Sequence, residues 1–319
     1  MRIVQCVPNI SEGRDLTKIQ SIIEPLKDQE GFKLISYEPD QDYHRTVITL
    51  LGDPEKMIIP LIRFFERAMI KIDMNIHKGE HPRMGAVDVV PFIPIQGITM
   101  EECVEYAKSL ADHVSAMYQI PVFLYAKAAQ TKERESLPEI RKGEFEGMKE
   151  KIQDPMWKPD YGLPMIHPTF GVVAIGARMP LIAFNIDLAT EDEKIANNLA
   201  KVIRQSSGGF QYIQAGPATL KERGHVQVTM NILDFKKNPI YRILETVKME
   251  IKRYHVSVSS AEIVGLLPKE ALVDSLKYYF ACDHIPFDNK MSLDEITQHA
   301  IHYLGFRDFN TQKIIEAYR

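Results

Sequence analysis

The densest group of residues able to do proton chemistry lies in the stretch HKGEHPRMG, residues 77–85. It places two imidazoles, His77 and His81, beside the charged side chains of Glu80 and Arg83. Histidine is the side chain whose unperturbed pKa lies nearest neutral pH, so it is a natural proton carrier for reactions at nitrogen. The stretch therefore indicates general acid–base catalysis, metal binding through the two histidines, or an ordinary surface loop.

The metal interpretation rests on residues 77–81, which match the H-x-x-E-H pattern of a class of zinc hydrolases. Such a site needs a helix that presents both histidines on one face. Gly79 lies in the middle of the pattern and Pro82 follows it directly, and a residue before proline is pushed out of the helical region. We therefore predict a loop that binds no metal.

Regular elements surround this loop. Alternating or β-branched apolar runs predict strands at RIVQCVPNI, FKLISYEPD, RTVITLLGD and AVDVVPFIPI, and helical spacing predicts helices at DLTKIQSIIEPLKD and PEKMIIPLIRFFERAMIKI. The resulting order, β-α-β-β-α-β, is that of a ferredoxin-like unit. The very apolar strand that follows the loop would give it a rigid support. A charged helix is expected further on, near Leu137–Ile152.

A second unit is expected after the segment Gln153–Gly171, which holds four prolines, two glycines and the only tryptophan. The β-α-β-β-α-β order then begins again and ends in a helical tail. We predict an α/β (α+β) fold of two ferredoxin-like subdomains with mixed or antiparallel sheets and outer helices. Residues 1–170 would carry the catalytic histidine, residues 171–319 would form the second subdomain, and a groove between them would bind the ligand.

The composition excludes several classes of function. The 319 residues are 45% hydrophobic and 26% charged, and the formal net charge of −4 comes without a basic block, so we expect no nucleic-acid partner. No apolar run reaches about 18 residues, so no membrane span is expected. Cys6, Cys103 and Cys282 lie far apart in apolar-periodic segments, which predicts buried free thiols and a cytoplasmic protein.

Four segments together resemble a known family. VQCVPNISEGR, GEHPRMGAVDVVPFIP, GARMPLIAFNIDL and SAEIVGLLP occur in this order between Val4 and Pro268. They are similar to glutamate formiminotransferase, the domain that bifunctional animal enzymes carry fused to a cyclodeaminase. The resemblance implies two α/β subdomains with a ligand groove between them, in agreement with the repeated element order.

The resemblance also implies a reaction. It is the transfer of the formimino group from N-formimino-L-glutamate to N5 of tetrahydrofolate, a co-substrate, in histidine degradation. His81 matches the catalytic histidine of the family. Members form homodimers, and because the chain ends at Arg319 a separate cyclodeaminase would process the product.

The chemistry explains why one imidazole can suffice. The attacking nitrogen must lose a proton and the departing glutamate nitrogen must gain one, and a positioned histidine can serve as base and then as acid. A protonated formimino group is already electrophilic, so no metal is needed. We therefore expect His81→Ala to abolish most transfer and His77→Ala to be mild.

Substrate and folate contacts are implied around His81. In the loop YEPDQDYHR, Asp40 is a candidate to orient His81 or to hold the pterin, with turn formation as the alternative. Arg45 and Arg83 are candidates for substrate carboxylates, which a guanidinium pairs with bidentately, although each can equally be a surface charge.

Further contacts are implied by the other matching segments. They involve Asn9 and Glu12 in VPNISEGR, where helix capping is the alternative, Gly162, Pro164 and Gly171 in the folate segment GLPMIHPTFG, and Arg178 in GARMPLIAFN. His167 departs from the animal pattern inside the folate segment.

Three other functions remain open at this level. A glutamate formyltransferase would use 5-formyltetrahydrofolate or N-formylglutamate on the same fold. A folate-binding protein without turnover would not need the histidine of EHPR, and a metal-dependent hydrolase of N-substituted glutamates would need the zinc site.

Overall fold

The computed structural model describes residues 2–41, 43–220 and 224–318, and it divides into two compact units, Met1–Met179 and Pro180–Arg319. Each unit has its own apolar core. The seven-stranded sheet of the first unit includes residues 173–177, which follow the proline-rich segment, so the division at Met179 lies after them.

The first unit contains seven strands and five helices within the described residues. In chain order they are β1 (Ile3–Cys6), β2 (Asn9–Ile10), α1 (Leu16–Ile23), β3 (Phe32–Asp40), β4 (Arg45–Gly52), α2 (Pro54–Lys71), β5 (Val87–Gln96), α3 (Met100–Tyr118), β6 (Val122–Ala126), α4 (Leu137–Arg141), α5 (Glu144–Lys151) and β7 (Val173–Ala177).

The sheet of the first unit is mixed. Strand β3 pairs with β4, and the short strands β1 and β2 follow one another between β4 and β5, all antiparallel. Strand β7 then lies between β5 and β6 and is parallel to both. Helix α2 contributes Met57, Leu61 and Phe65 to the core at the spacing of one helical face. Because β5 pairs with β1 and β2 on one side and with β7 on the other, it lies near the middle of the seven-stranded sheet.

The second unit follows the order β8 (Ile182–Leu188), α6 (Glu193–Ile203), β9 (Ile213–Leu220), β10 (His225–Ile232), α7 (Ile240–Ile251) and β11 (Val258–Val264). Its sheet is antiparallel with the strand order β11-β8-β10-β9. Helices α8 (Lys269–Cys282) and α9 (Leu293–Leu304) form the helical tail. The first unit contains the same arrangement, with the strand order β5-β1-β4-β3 in place of β11-β8-β10-β9. The predicted pair of βαββαβ subdomains is therefore confirmed.

Some local predictions were wrong. The single charged helix expected near Leu137–Ile152 is two helices, because the chain turns at Gly143, whose φ of 92° is accessible mainly to glycine. Cys6 and Cys103 are buried free thiols as expected, but Cys282 at the end of α8 is exposed. None of the helices in the described residues is long and apolar enough to cross a membrane.

Candidate functional site

The loop of residues 77–86 carries His81 to the start of β5. No helix passes through residues 77–81, as the glycine and the proline predicted. A Cβ at Gly79 would lie 2.5 Å from the carbonyl oxygen of Tyr43, and one at Gly85 would lie 2.0 Å from that of Val172. The loop is therefore pressed against the β3–β4 turn on one side and the chain entering β7 on the other. Within the described ranges no group of three or more His, Cys, Asp or Glu side chains is placed to hold a metal ion.

Asp88, on β5, is the buried partner of His81. Its side chain is 1% exposed, and Oδ2 lies 3.9 Å from Nε2 of His81 and also accepts a hydrogen bond from Nη2 of Arg141 at the end of α4. Oδ1 accepts a hydrogen bond from the backbone N–H of Met84 at 2.9 Å. Burial by itself raises the pKa of Asp88, but Arg141, then His81 and the Met84 N–H, outweigh it and lower the pKa to about 2. Asp88 is therefore a fixed carboxylate at neutral pH.

Arg45, the first residue of β4, approaches the same histidine. Its Nη1 lies 3.4 Å from Nε2 of His81, and its guanidinium carbon lies 5.8 Å from the centre of the Tyr43 ring. Burial lowers the pKa of Arg45, and the nearby Arg141 lowers it further, against the opposing charges of Asp88 and Asp40. In the described part of the chain, Nε of both Arg45 and Arg141 is buried without a hydrogen-bond partner.

The donors of this group are not all paired. Two guanidinium groups, Arg45 and Arg141, adjoin the buried carboxylate of Asp88, while the second nearby carboxylate, that of Asp40 opposite Arg45, accepts from the Tyr43 N–H. Among the described residues Nε of each guanidinium is buried without an acceptor, and such donors are stabilised when a ligand supplies one. A carboxylate is the acceptor that a guanidinium binds most strongly. The arrangement can therefore bind an acidic substrate beside His81.

His81 itself is suited to act as a base. Its side chain is 12% exposed. Burial lowers its pKa, and although the nearby carboxylate of Asp88 raises it, the charge of Arg45 lowers it again, so that the pKa stays below its ordinary value. The ring is therefore neutral at neutral pH. The Tyr43 ring, 46% exposed, meets it edge-on with 6.3 Å between ring centres.

His77 has a different environment. It is 6% exposed, its Nε2–H donates to the carbonyl oxygen of His44 at 2.9 Å, and its Nδ1 accepts from Nε of Arg83 at 3.3 Å. The rings of His77 and His44 lie 4.2 Å apart. Burial lowers the pKa of both rings, that of His44 to about 4. Because His77 ties its loop to the β3–β4 turn, we expect His77→Ala to lower the stability of the fold. A loss of activity in this variant could then arise from instability, so His77→Ala is a poor control for His81→Ala.

Arg83 is 5% exposed and uses all of its donors within the chain. Besides the bond to His77 Nδ1, Nη2 donates to the carbonyl oxygen of His77 at 3.0 Å and to Glu146 at 2.8 Å. Nη1 donates to Glu144 at 3.0 Å and to Glu146 at 2.7 Å. A substrate carboxylate would have to displace one of these glutamates on α5, so Arg45 is the better placed of the two predicted carboxylate ligands.

The residues predicted near the N-terminus and in the turn hold the backbone. Oδ1 of Asp40 accepts from the backbone N–H of Tyr43 at 2.9 Å, the turn-forming contact. Glu12 is 6% exposed, and its Oε1 accepts from the backbone N–H groups of Arg14 and Asp15 at 2.9 and 3.1 Å, just before α1. Nδ2 of Asn9 donates to the carbonyl oxygen of Val7 at 3.0 Å. Asp40 faces Arg45 across the β3–β4 ladder and so lies near the site.

The three residues predicted in the folate segment have different surroundings. Gly171, with φ of 84°, forms a bridge with Gly85, and a Cβ there would lie 2.2 Å from the carbonyl oxygen of Met84. Gly171 therefore supports the His81 loop directly. Gly162 and Pro164 are exposed.

Arg178 lies toward the far end of β5. Its backbone N–H donates to the carbonyl oxygen of Phe92 at 3.1 Å. Phe92 is four residues beyond Asp88 on that strand, roughly 13 Å at about 3.3 Å per residue. The first unit does not bring Arg178 together with His81.

Asp88 and Arg141 are the site residues that sequence reasoning missed. Asp88 carried a signal: it is an aspartate inside the apolar run AVDVVPFIP, and a buried charge needs a partner. Arg141 lies in a charged helix among several similar residues, and nothing in the pattern distinguishes it.

Two family models match the chain, one over each compact unit. Residues 3–178 match the family model of the formiminotransferase domain, N-terminal subdomain, and residues 183–319 match that of the formiminotransferase domain. The chain belongs to the formiminotransferase family. The His81 loop, Asp88 and Arg141 all lie in the part of the chain that matches the N-terminal subdomain of this transferase family.

Relatives in the family cover most of the chain. The chain is 43% identical over 290 residues to a glutamate formimidoyltransferase of Streptococcus pyogenes serotype M1, covering 91% of this chain and 97% of that protein. It is 41% identical over 281 residues to one of Thermoplasma acidophilum, covering 88% and 92%. It is 38% identical over 287 residues to the formimidoyltransferase-cyclodeaminase of Mus musculus, covering 88% of this chain and 53% of that protein.

Proposed function

We propose that the chain transfers the formimino group of N-formimino-L-glutamate to N5 of tetrahydrofolate, giving 5-formiminotetrahydrofolate and L-glutamate. The observation that carries the proposal is His81, neutral and partly exposed, held beside the buried carboxylate of Asp88 and the under-bonded guanidinium of Arg45. Two relatives that are named for this activity match nearly their whole length.

His81 acts as base and then as acid. It takes the proton of N5 as N5 bonds to the formimino carbon, which gives a tetrahedral intermediate. It then gives that proton to the glutamate nitrogen as the bond between this nitrogen and the carbon breaks. The neutral ring and the charge of Asp88 suit the two steps, since Asp88 stabilises the imidazolium formed in between. Tetrahydrofolate is a co-substrate, and the steps use no metal.

The substrate is held by charge. Arg45 pairs with a carboxylate of formiminoglutamate, and Arg141 adds to the positive potential of the site while it holds Asp88. Asp40, opposite Arg45 across the hairpin, places a negative charge near that guanidinium. The segment Gly162–Gly171 contacts the folate, with Gly171 beside the loop of His81.

The metabolic setting follows from the reaction. The product carries a formimino group on folate, so a cyclodeaminase consumes it, a partner suggested by the fused proteins named formimidoyltransferase-cyclodeaminase. We place the protein in histidine degradation in the cytoplasm, as a homodimer.

The proposal is tested by supplying the substrates. The purified chain is incubated with formiminoglutamate and tetrahydrofolate, and release of glutamate is followed together with the spectrum of the folate product. Parallel reactions use N-formylglutamate with tetrahydrofolate, and 5-formyltetrahydrofolate with glutamate. Transfer at least tenfold faster with the formimino donor supports the proposal. Preference for a formyl donor, or folate binding without glutamate release, contradicts it.

A further inference from the structure

Two groups compete for the same ring nitrogen of His81. Nε2 lies 3.4 Å from Nη1 of Arg45 and 3.9 Å from Oδ2 of Asp88. A guanidinium has only donors and an ionised carboxylate only acceptors. A neutral His81 that accepts from Arg45 at Nε2 carries its proton on Nδ1, whereas one that donates to Asp88 carries it on Nε2. The two contacts therefore require opposite tautomers.

The tautomer decides whether His81 can act as a base. Because Nε2 faces Arg45 and Asp88, Nδ1 is the nitrogen left for substrates, and it makes no hydrogen bond to the described residues. With Arg45 donating to Nε2, Nδ1 is protonated and has no lone pair to offer. With Nε2–H directed to Asp88, Nδ1 can accept the proton of N5.

Arg45 is the partner that can move. Asp88 is 1% exposed and fixed by Arg141 and the Met84 N–H. Among the described residues, the one hydrogen-bond contact of the Arg45 guanidinium is the long one from Nη1 to His81, and its Nε has no partner. Tyr43, whose ring centre lies 5.8 Å from the guanidinium carbon, is 46% exposed. A bidentate carboxylate would replace this weak contact by stronger, charge-assisted bonds.

We propose that Arg45 holds His81 in the inactive tautomer until a substrate carboxylate draws the guanidinium away, whereupon Nε2–H turns to Asp88 and Nδ1 becomes the base. The inference rests on the proposed function, and makes Arg45 a positioning residue as well as a ligand. No net proton is gained or lost in the switch, since solvent takes the proton from Nδ1 and returns one to Nε2. Nδ1 therefore has a lone pair to accept a proton only when an acidic substrate is bound.

The tautomer can be read by ¹⁵N NMR of protein with labelled imidazole nitrogens, because a protonated and an unprotonated ring nitrogen resonate far apart. The chain has 10 histidines, and a His81→Gln spectrum identifies the signals of His81. In the free protein at neutral pH we expect Nδ1–H. L-Glutamate, at a concentration that inhibits transfer, should convert His81 to Nε2–H. A free protein already in the Nε2–H form, or retention of Nδ1–H under inhibition, would overturn the proposal.

A variant tests the switch without a ligand. Arg45→Met keeps most of the stem volume and removes the donors, so His81 should adopt Nε2–H in the free protein. KM for formiminoglutamate should rise at least tenfold while kcat stays within about threefold. Arg14→Met is the matched control, because Arg14 also borders the turn, donating through Nε to the carbonyl oxygen of Gln41, but does not touch His81. It should leave the tautomer unchanged.

The outcomes separate this inference from the proposed function. Absence of formimino transfer by the wild-type protein contradicts the function whatever the tautomer. Normal transfer with an Nδ1–H ring in Arg45→Met, or with kcat falling as much as KM rises, contradicts the switch and leaves the function standing. If Arg45→Met does not fold, the glutamate experiment on the wild-type protein decides the switch alone.

Discussion

Replacing Asp88 by asparagine removes one charge and almost no volume from the buried end of the site. The pKa of Asp88 falls from its ordinary value of 3.8 to about 2 in the folded protein, so the ionised form stabilises the fold. At about 1.4 kcal/mol per pH unit this difference is worth about 2 kcal/mol. The sign is that of a depressed acid: the stabilisation is complete above about pH 4 and is lost as the pH falls through about 2.

The ion pair with Arg141 increases the stability that Asp88→Asn should lose. Its side chain is 14% exposed and pairs with Asp88, so the variant leaves a largely buried guanidinium beside a neutral amide. Removing one partner of a buried ion pair typically costs about 3–5 kcal/mol. We therefore expect Asp88→Asn to lower the free energy of unfolding at pH 7 by about 2–5 kcal/mol. Urea denaturation followed by circular dichroism measures this loss.

Catalysis should change in a way that instability alone does not explain. Asp88 raises the pKa of His81 against burial, so its loss lowers the pKa of His81 further. The acid limb of the pH–rate profile should move to lower pH. In the folded variant kcat should fall about 10²-fold, the lower end of the range for a positioned acid–base group, because the imidazolium loses its counter-charge.

Asp160→Asn is the matched control. Asp160 is also buried, with a side chain 2% exposed, and pairs with Arg134 at 2.8 Å in the same unit without touching His81. It should cost a similar free energy of unfolding and leave the pH–rate profile in place. If Asp88→Asn retained full kcat and an unmoved acid limb, the role of Asp88 as the counter-charge of His81 would be refuted. The same holds if Asp160→Asn moved the limb equally.

Three further changes test other parts of the site. His81→Ala should lower kcat about 10²–10⁴-fold while tetrahydrofolate still binds, as measured by steady-state rates and by titration. The control His113→Ala, at an exposed histidine, should have no effect. Equal losses in the two variants would contradict the assignment of His81 as the acid–base residue. Gly79→Ala should lower both the melting temperature and activity, because its Cβ would lie 2.5 Å from the Tyr43 carbonyl oxygen. Gly147→Ala in α5 is the control: its Cβ meets nothing within 4 Å, so the variant should stabilise the folded protein by up to about 1 kcal/mol. If calorimetry gave Gly79→Ala the higher melting temperature of the two, the packing argument would be refuted. Since the pKa of His81 in the free protein lies below its ordinary value of 6.5, kcat/KM should be retained at pH 6.5 and fall only at lower pH; an acid limb of kcat/KM above pH 6.5 would show that His81 is not the titrating base.

Local patterns were enough for the elements that position His81. The alternation of FKLISYEPD predicted β3 as Phe32–Asp40, and Gly79 with Pro82 correctly predicted a loop in place of a helix. These predictions succeed because backbone preference and apolar period act over a few residues. The repeated βαββαβ order was predictable for the same reason.

The partners of His81 were less accessible, because they depend on pairing between distant segments. Arg83 and Arg45 look alike in sequence, yet all five donors of Arg83 are satisfied by the chain, whereas Arg45 keeps an N–H unpaired among the described residues. The difference arises from Glu144 and Glu146, which lie more than sixty positions from Arg83 and reach it through the folding of α5. The spacing of apolar residues along the sequence does not predict a contact between such distant residues.

The place of β7 between β5 and β6 has a consequence for how the first unit forms during synthesis. Strand β6 leaves the ribosome before β7, but β7 is its only ladder partner among the described strands. Strand β6 therefore has no strand to pair with until Val173–Ala177 has emerged and entered the sheet in parallel, a pairing of the kind that closes slowly. Gly171, which supports the loop of His81, arrives with the same segment. A nascent chain shorter than this would hold His81 and its charged neighbours and yet lack the strand that completes their support.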